Sequence, residues 1–386
     1  MRLTLVLVTL IALAGCQSNP TKKDQTLVNA SVAYTPKFPG LSDTEIKGLQ
    51  GSINHFFTKN HFLNYFNGGI LIAKNGTVVF EQYKGYSNPA TRDSINAETP
   101  LQIASTSKTF TGIGILRLVQ QGKLNLDDSL QKFFPGFPYQ GITVKMLLNH
   151  RSGLPEYLYY FEKHNWDRKV YATNNDVLNT LITWQPPKAS NPDRRFDYCN
   201  TNFVLLALII EKLSGQTYPQ FMKENFFDPL QMKNTFVFTP VDTATAIQSY
   251  DWRGGLWQMD FSDGPYGDKN IYSTPRDLLK WDQALYTGNI IDQKLLDSAF
   301  TPYSHERKTQ HNYGLGWRLL LFENGKKVPY HNGRWHGFNS AFSRLTDEKV
   351  TIIMLTNKFN RGVYVTARKM YNLFGDYDVH HDDSAD

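Results

Sequence analysis

Ser105 and Lys108 stand three residues apart in the stretch Ile103-Ala104-Ser105-Thr106-Ser107-Lys108-Thr109-Phe110. A serine hydroxyl is a weak nucleophile until a neighbouring base or cation activates it, and a lysine held out of water within hydrogen-bond reach does so. On a helix, residues i and i+3 share a face, so the spacing itself supplies that reach. Downstream, Phe110, Ile113, Leu116 and Val119 recur at every third position. That period predicts one buried helical face with Ser105 at the helix N-terminus. The pair alone is weak evidence, because Ser129-Leu130-Gln131-Lys132 repeats the spacing.

Two further groups strengthen it. In Tyr198-Cys199-Asn200, a phenol beside an ammonium can lose its proton well below its usual value of about 10 and serve as a general base. Asn200 can hold Lys108 and donate to a substrate carbonyl. Tyr65-Phe66-Asn67 and Tyr86-Ser87-Asn88 share the pattern, but only the third lies in the helical middle of the chain, where it can face the Ser105 helix across a cleft. His331-Asn332-Gly333 is the only His-x-Gly in the chain and leads into a late strand. Glycine there lets a substrate lie close to the strand backbone, and the amide of Arg334 can pair with that of Ser105 to bind a developing oxyanion.

The elements that must position these groups follow from pattern. Ser42-Asp43-Thr44-Glu45 opens a helix with a capping box that runs to about Lys59. Gly68 to Lys74 and Thr77 to Tyr83, joined at Asn75-Gly76, read as a β-hairpin. The chain is then largely helical to about residue 298, including Asn175 to Trp184, Asn202 to Leu213 and Pro275 to Tyr286. Strands return at Gly314 to Phe322, Phe338 to Leu345 and Val350 to Thr356, followed by an amphipathic helix from about Gly362 to Phe374. Strands at both ends with helices between predict an α/β (α+β) fold: an antiparallel sheet flanked by N- and C-terminal helices, a large helical insertion, and the site in the cleft between them.

Composition sets the outer limits. With 386 residues and 41% hydrophobic content the chain can bury a large core. Its 41 basic against 35 acidic residues give a scattered +6 with no basic arm, so nothing argues for nucleic acid. Met1-Arg2 and the apolar run Leu3 to Ala14 have the form of a secretory signal, short of the roughly 20 apolar residues that span a membrane. The run ends Leu13-Ala14-Gly15-Cys16, which resembles the lipobox of bacterial lipoproteins. On that reading Cys16 is lipidated and holds the protein at a membrane surface of the cell envelope, facing the periplasm or exterior. The expected organisation is a signal at 1–15, a lipid-anchored linker at 16–41, and one domain at 42–375, with its α/β part at 42–104 and 300–375 and its helical part at 105–299. The tail at 376–386, with His380, His381, Asp382 and Asp383, is expected to be disordered rather than a metal site. Cys199 is expected to be a small buried filler without a disulfide partner.

Taken together, Ser105-x-x-Lys108, Tyr198-x-Asn200 and His331-x-Gly333, in that order, resemble the three motifs of the serine β-lactamase and penicillin-binding-protein superfamily. More narrowly they are similar to its class C β-lactamase-like branch, which includes D-alanyl-D-alanine carboxypeptidases, D-aminopeptidases and esterases. Leu147-Leu148-Asn149-His150-Arg151-Ser152-Gly153-Leu154, Tyr272-Ser273-Thr274-Pro275-Arg276-Asp277-Leu278 and Tyr313-Gly314-Leu315-Gly316-Trp317 extend the resemblance over about residues 45 to 375. It implies a cofactor-independent acyl transfer without metal. Ser105 would be the nucleophile, Lys108 its activating partner and Tyr198 the proton shuttle. Asn200 would position Lys108 and the substrate, and the amides of Ser105 and Arg334 would form the oxyanion hole. His331 and Asn332 stand where class C β-lactamases carry the lysine and threonine that help hold the drug's carboxylate, so the resemblance implies His331 as a substrate-binding residue, and the bulky Arg334 and Trp335 follow Gly333. These departures rank a peptide of D-amino-acid type or an ester above a β-lactam as substrate, with Arg334 able to recruit a carboxylate. The competing expectations are a β-lactamase and a non-catalytic module that holds peptidoglycan or penicillin.

Overall fold

The computed structural model describes residues 34–307 and 309–377. The signal-like run, Cys16, most of the linker and the four tail residues His380, His381, Asp382 and Asp383 lie outside the described residues. No helix among those described is long and apolar enough to cross a membrane.

Helix α1 (Asp43–Asn60) begins at the expected capping box, with the Ser42 and Glu45 side chains each bonded to the other's backbone amide. The hairpin follows as β1 (Gly68–Lys74) and β2 (Thr77–Lys84). Asn75 and Gly76 both have positive φ, as a two-residue hairpin turn requires. Helices α2 (Ser107–Gln120), α3 (Thr201–Ser214) and α4 (Pro275–Ala284) come from the middle of the chain. The late strands are β3 (His311–Tyr313), β4 (Arg318–Leu321), β5 (Lys327–Trp335), β6 (Phe338–Leu345) and β7 (Val350–Thr356), and α5 (Gly362–Lys369) closes the fold.

The hairpin and the late strands form one antiparallel sheet in the order β2-β1-β7-β6-β5-β4-β3. Alternation along β1 sorts its side chains between two cores. Ile70 and Ile72 pack with Ile53 and Phe57 of α1 and Val363 of α5. Leu71 and Ala73 join Phe110 of α2 and Trp281 of α4 in the larger core, with the other middle helices. Helix α4 lies on the sheet and is fastened there by Asp282, whose carboxylate receives Arg344 Nε and whose carbonyl receives Arg344 Nη2 at 3.2 Å. Both side chains are at most 2% exposed. Asp282→Ala would strand a buried guanidinium, so unfolding in urea is expected to show a loss of about 3–5 kcal/mol. A change below about 1 kcal/mol would contradict that role for the pair.

Three local expectations change. The α2 face is not a single stripe: Ser107, Lys108, Thr109, Thr111, Ile115 and Leu118 are buried along with Phe110, Ile113 and Leu116, whereas Val119 is only half-buried. The helix is surrounded by α3, α4 and the sheet, so burial is no longer set by its period. Of the strand expected over Gly314 to Phe322 only Arg318–Leu321 forms, because Gly316 at φ 83° turns the chain between it and β3, which ends before Gly314. A Cβ on Gly316 would lie 2.9 Å from the Lys108 carbonyl oxygen, so this turn lies directly on α2. Strand β5 begins four residues before His331; Pro329 and Gly333 within it weaken its sequence signal. A small sheet of Leu101–Gln102, Ile271–Ser273 and Phe236–Val237 also runs through the largely helical middle.

Candidate active site

The turn carrying Ser105 is pinned to the sheet by side chains. Ser340 Oγ donates to the Ile103 carbonyl at 2.6 Å, and Thr106 Oγ1 donates to the His331 carbonyl at 3.1 Å. Ala104, just before Ser105, is fully buried and has φ 47°, an unfavourable backbone for a residue with a Cβ. The fold thus holds the turn at Ser105 in a conformation it would not adopt alone. Strand β4 pairs with β5 only from Lys327 to Tyr330, which leaves the edge from His331 to Trp335 open toward Ser105. A Cβ on Gly333 would sit 2.2 Å from the Ile103 carbonyl oxygen and 3.0 Å from the Ser105 amide nitrogen. Only glycine permits that approach.

Lys108 is fully buried, and its Nζ has three oxygen neighbours: Ser105 Oγ at 3.1 Å, Asn200 Oδ1 at 2.8 Å and the Asp268 carbonyl at 2.7 Å. The last two only accept. A neutral amine therefore spends both hydrogens on them and turns its lone pair to the serine proton; an ammonium uses its third hydrogen on Oγ. Lys108 Nζ also lies 5.0 Å from the centre of the Tyr198 ring. Ser105, Tyr198, Asn200, Gly333 and Arg334 share the wall of one cavity of about 230 Å³ with Asp268, Lys269, Arg318 and Trp335.

His331 departs from its expected place as a substrate contact. Its ring is fully buried and lies behind Tyr198 rather than in the cavity wall, with Nδ1 donating to the Asn332 carbonyl at 2.7 Å and Nε2 receiving Tyr313 Oη at 3.1 Å. The ring shares a strand face with Gly333 and Trp335, toward Ser105, but Tyr198 and Tyr313 pack over it and close it off from the cavity. His150, for which the sequence suggested no role, stacks on Tyr198 at 4.2 Å and accepts from the Cys199 amide at 3.1 Å through Nδ1. Cys199 is the buried filler expected, with its thiol against the Leu154 carbonyl and pushed up by burial.

Both imidazoles are held neutral. Burial lowers each well below the usual 6.5, and the cations Lys108 and Arg318 add to this for both. The unfolded chain takes up these two protons near 6.5 and the folded chain does not, so stability must fall as pH drops below that point. The expected slope between pH 6.5 and 5 is up to about 1.4 kcal/mol per unit for each ring. Urea melts at pH 7.5 and 5 test this, and equal stability at the two would refute it.

Other residues of the site gave no signal of their own in the sequence. Lys269 Nζ pairs with Asp268 Oδ2 at 3.2 Å, bonds Tyr157 Oη at 2.5 Å and sits 4.4 Å from the centre of the Trp335 ring. Trp335 Nε1 donates to Asp263 Oδ1 at 2.7 Å, and His336 Nε2 lies 3.0 Å from the same carboxylate. Asp260, Asp263 and His336 form the one cluster of potential metal ligands among the described residues. Asp263 already serves Trp335, His336 and the Asp260 amide, which makes it a brace for the cavity wall. Tyr364 Oη donates to the Gly333 carbonyl at 2.9 Å and so steadies the open edge of β5.

The model of the Beta-lactamase family matches residues 64–375, most of the chain and all of the elements that build this cavity. The chain belongs to the beta-lactamase family. Penicillin-binding protein 4* of Bacillus subtilis (strain 168) is 33% identical to this family member over 310 residues, covering 76% of it and 68% of the relative. Protein flp of Staphylococcus aureus (strain MW2) is 28% identical over 82% of the chain, which spans only 61% of that longer protein. Among solved structures, an octameric penicillin-binding protein homologue from Pyrococcus abyssi superposes with a TM-score of 0.72 at 25% identity, covering 86% of this chain and 78% of that one. The D-amino acid amidase from Ochrobactrum anthropi SV3, complexed with D-phenylalanine, shares the fold at a TM-score of 0.68 and 23% identity, over 84% of this chain and 98% of that one.

Proposed function

We propose that this beta-lactamase-family protein is a serine hydrolase that cleaves a peptide of D-amino-acid type or an ester through an acyl-enzyme on Ser105. The observation that carries the reading is the Lys108 amine, buried, 3.1 Å from Ser105 Oγ and held there by two acceptors. Oγ attacks the substrate carbonyl carbon while its proton passes to Lys108. The carbonyl oxygen gathers charge between the amides of Ser105 and Arg334. Tyr198 relays the proton to the leaving nitrogen or oxygen as that bond breaks, and water then reverses the sequence to release the acid. Asn200 holds both Lys108 and the substrate. Arg334, exposed in the wall with its guanidinium 5.5 Å from the Phe359 ring centre, supplies a cation for a substrate carboxylate.

A β-lactam is the second candidate substrate, and His331 weighs against it. A neutral ring buried behind Tyr198 cannot take the place of a lysine that meets a drug's carboxylate. Turnover of an aryl ester, a D-alanyl peptide and nitrocefin by the same preparation tests the ranking. The ester or peptide is expected to have the highest kcat/KM, and a clear lead for nitrocefin would reverse the assignment. We place the enzyme in the cell envelope, lipid-anchored through Cys16, with peptidoglycan-derived peptides within its reach; the support is the signal-like run and the Leu13-Ala14-Gly15-Cys16 junction. Metabolic labelling with a fatty-acid probe, lost on Cys16→Ala, checks the anchor.

A further inference from the structure

We propose that Glu156 is a positioning residue of this site: its carboxylate orients the Asn200 amide and thereby holds Lys108 on Ser105. The proposal rests on the hydrolase reading above. Glu156 Oε2 accepts from two hydrogens of one residue, the Asn200 backbone amide at 2.7 Å and the Asn200 side-chain Nδ2 at 3.1 Å. With Nδ2 so engaged, Oδ1 must face Lys108, where it lies 2.8 Å from Nζ. The reversed amide would set its oxygen against a carboxylate oxygen and its NH₂ against an ammonium. Lys108 cannot make that choice alone, because a neutral amine accepts from NH₂ as readily as it donates to oxygen.

The bracket that carries Glu156 is rigid. Thr201 Oγ1 donates to the Pro155 carbonyl at 2.7 Å and accepts from the Tyr157 amide at 2.9 Å, so the segments on either side of Glu156 and Asn200 are laced together. Glu156 also caps the helix Tyr157–Lys163. Its enclosure raises the carboxyl above the ordinary range, mainly through desolvation, with the Asp268 charge adding and the Asn200 amide and Lys108 opposing. Enclosing a carboxylate at that cost, with both Asn200 donors converging on one of its oxygens, fits a group retained for geometry.

The rate at which a fluorophosphonate labels Ser105, followed by intact-protein mass, tests the proposal. Glu156→Ala is expected to slow labelling about tenfold or more, the scale of one lost orienting hydrogen bond. Glu156→Gln is expected to stay within about threefold of wild type, because the Asn200 backbone amide demands an acceptor and draws the glutamine oxygen to the same spot. In an Asn200→Ala background, Glu156→Ala should change the rate by less than about twofold, since the residue through which it acts is gone. A purely structural role predicts the same loss in both backgrounds. Wild-type labelling together with an undiminished Glu156→Ala rate overturns the proposal alone, as does an equal loss in the Asn200→Ala background or a failure of glutamine to rescue. No labelling of wild type removes the hydrolase reading and this proposal with it.

Discussion

Ser105→Ala is expected to abolish covalent labelling by fluorophosphonate or labelled penicillin and to lower turnover by at least about 10⁴-fold, the scale on which removal of a catalytic nucleophile acts. The effect should come almost wholly from chemistry. The hydroxyl contributes one 3.1 Å bond to Lys108, whose two carbonyl acceptors remain, and the turn is still held by Ser340 and Thr106. Ser107, two residues on in the chain, could not take over, because it is buried and its Oγ accepts from the Ile271 amide at 3.1 Å. The variant should therefore melt within a few degrees of wild type while carrying no adduct. An adduct that persists in Ser105→Ala, or turnover within tenfold of wild type, would place the nucleophile elsewhere.

The second large effect is expected at the proton-transfer groups: Lys108→Ala and Tyr198→Phe should each reduce kcat by at least about a hundredfold, as loss of a positioned acid–base group does. Tyr198→Phe is the cleaner of the two. The ring keeps its 4.2 Å stack on His150 and its place beside Lys108, so only the phenolic oxygen is lost. Lys108→Ala also leaves Asn200 Oδ1 and the Asp268 carbonyl without their donor in a buried site, which adds a stability cost. Measuring kcat at matched folded fractions separates the two. The losses should not add in the double variant, because both residues handle one proton. A near-normal rate for either single variant would remove that residue from the mechanism.

Much of the framework was readable from local pattern. The capping box at Ser42 and Glu45, the Asn75-Gly76 turn, and the strands Phe338–Leu345 and Val350–Thr356 stand where their residues imply, because each is decided by interactions within a few positions of the chain. The residue types of the site were readable too: Ser105, Lys108, Tyr198 and Asn200 are brought to one place by elements the pattern indicated.

Other features depend on what lies across from a residue, which spacing does not encode. His331 was expected at the substrate, yet the packing of Tyr313 and Tyr198 covers its ring and closes it off from the cavity. Glu156 and Asp263 have no motif of their own and His150 had a motif but no role; they matter because the folded chain sets them against Asn200, Trp335 and Tyr198. The amino-acid sequence alone settled which chemical groups this protein can bring to a reaction and the secondary structure that bears them. Tertiary structure decided which of those groups meet, which are buried neutral, and which way Asn200 faces, because those outcomes depend on contacts between residues far apart in the chain, such as Asn200 with Glu156 at a separation of 44.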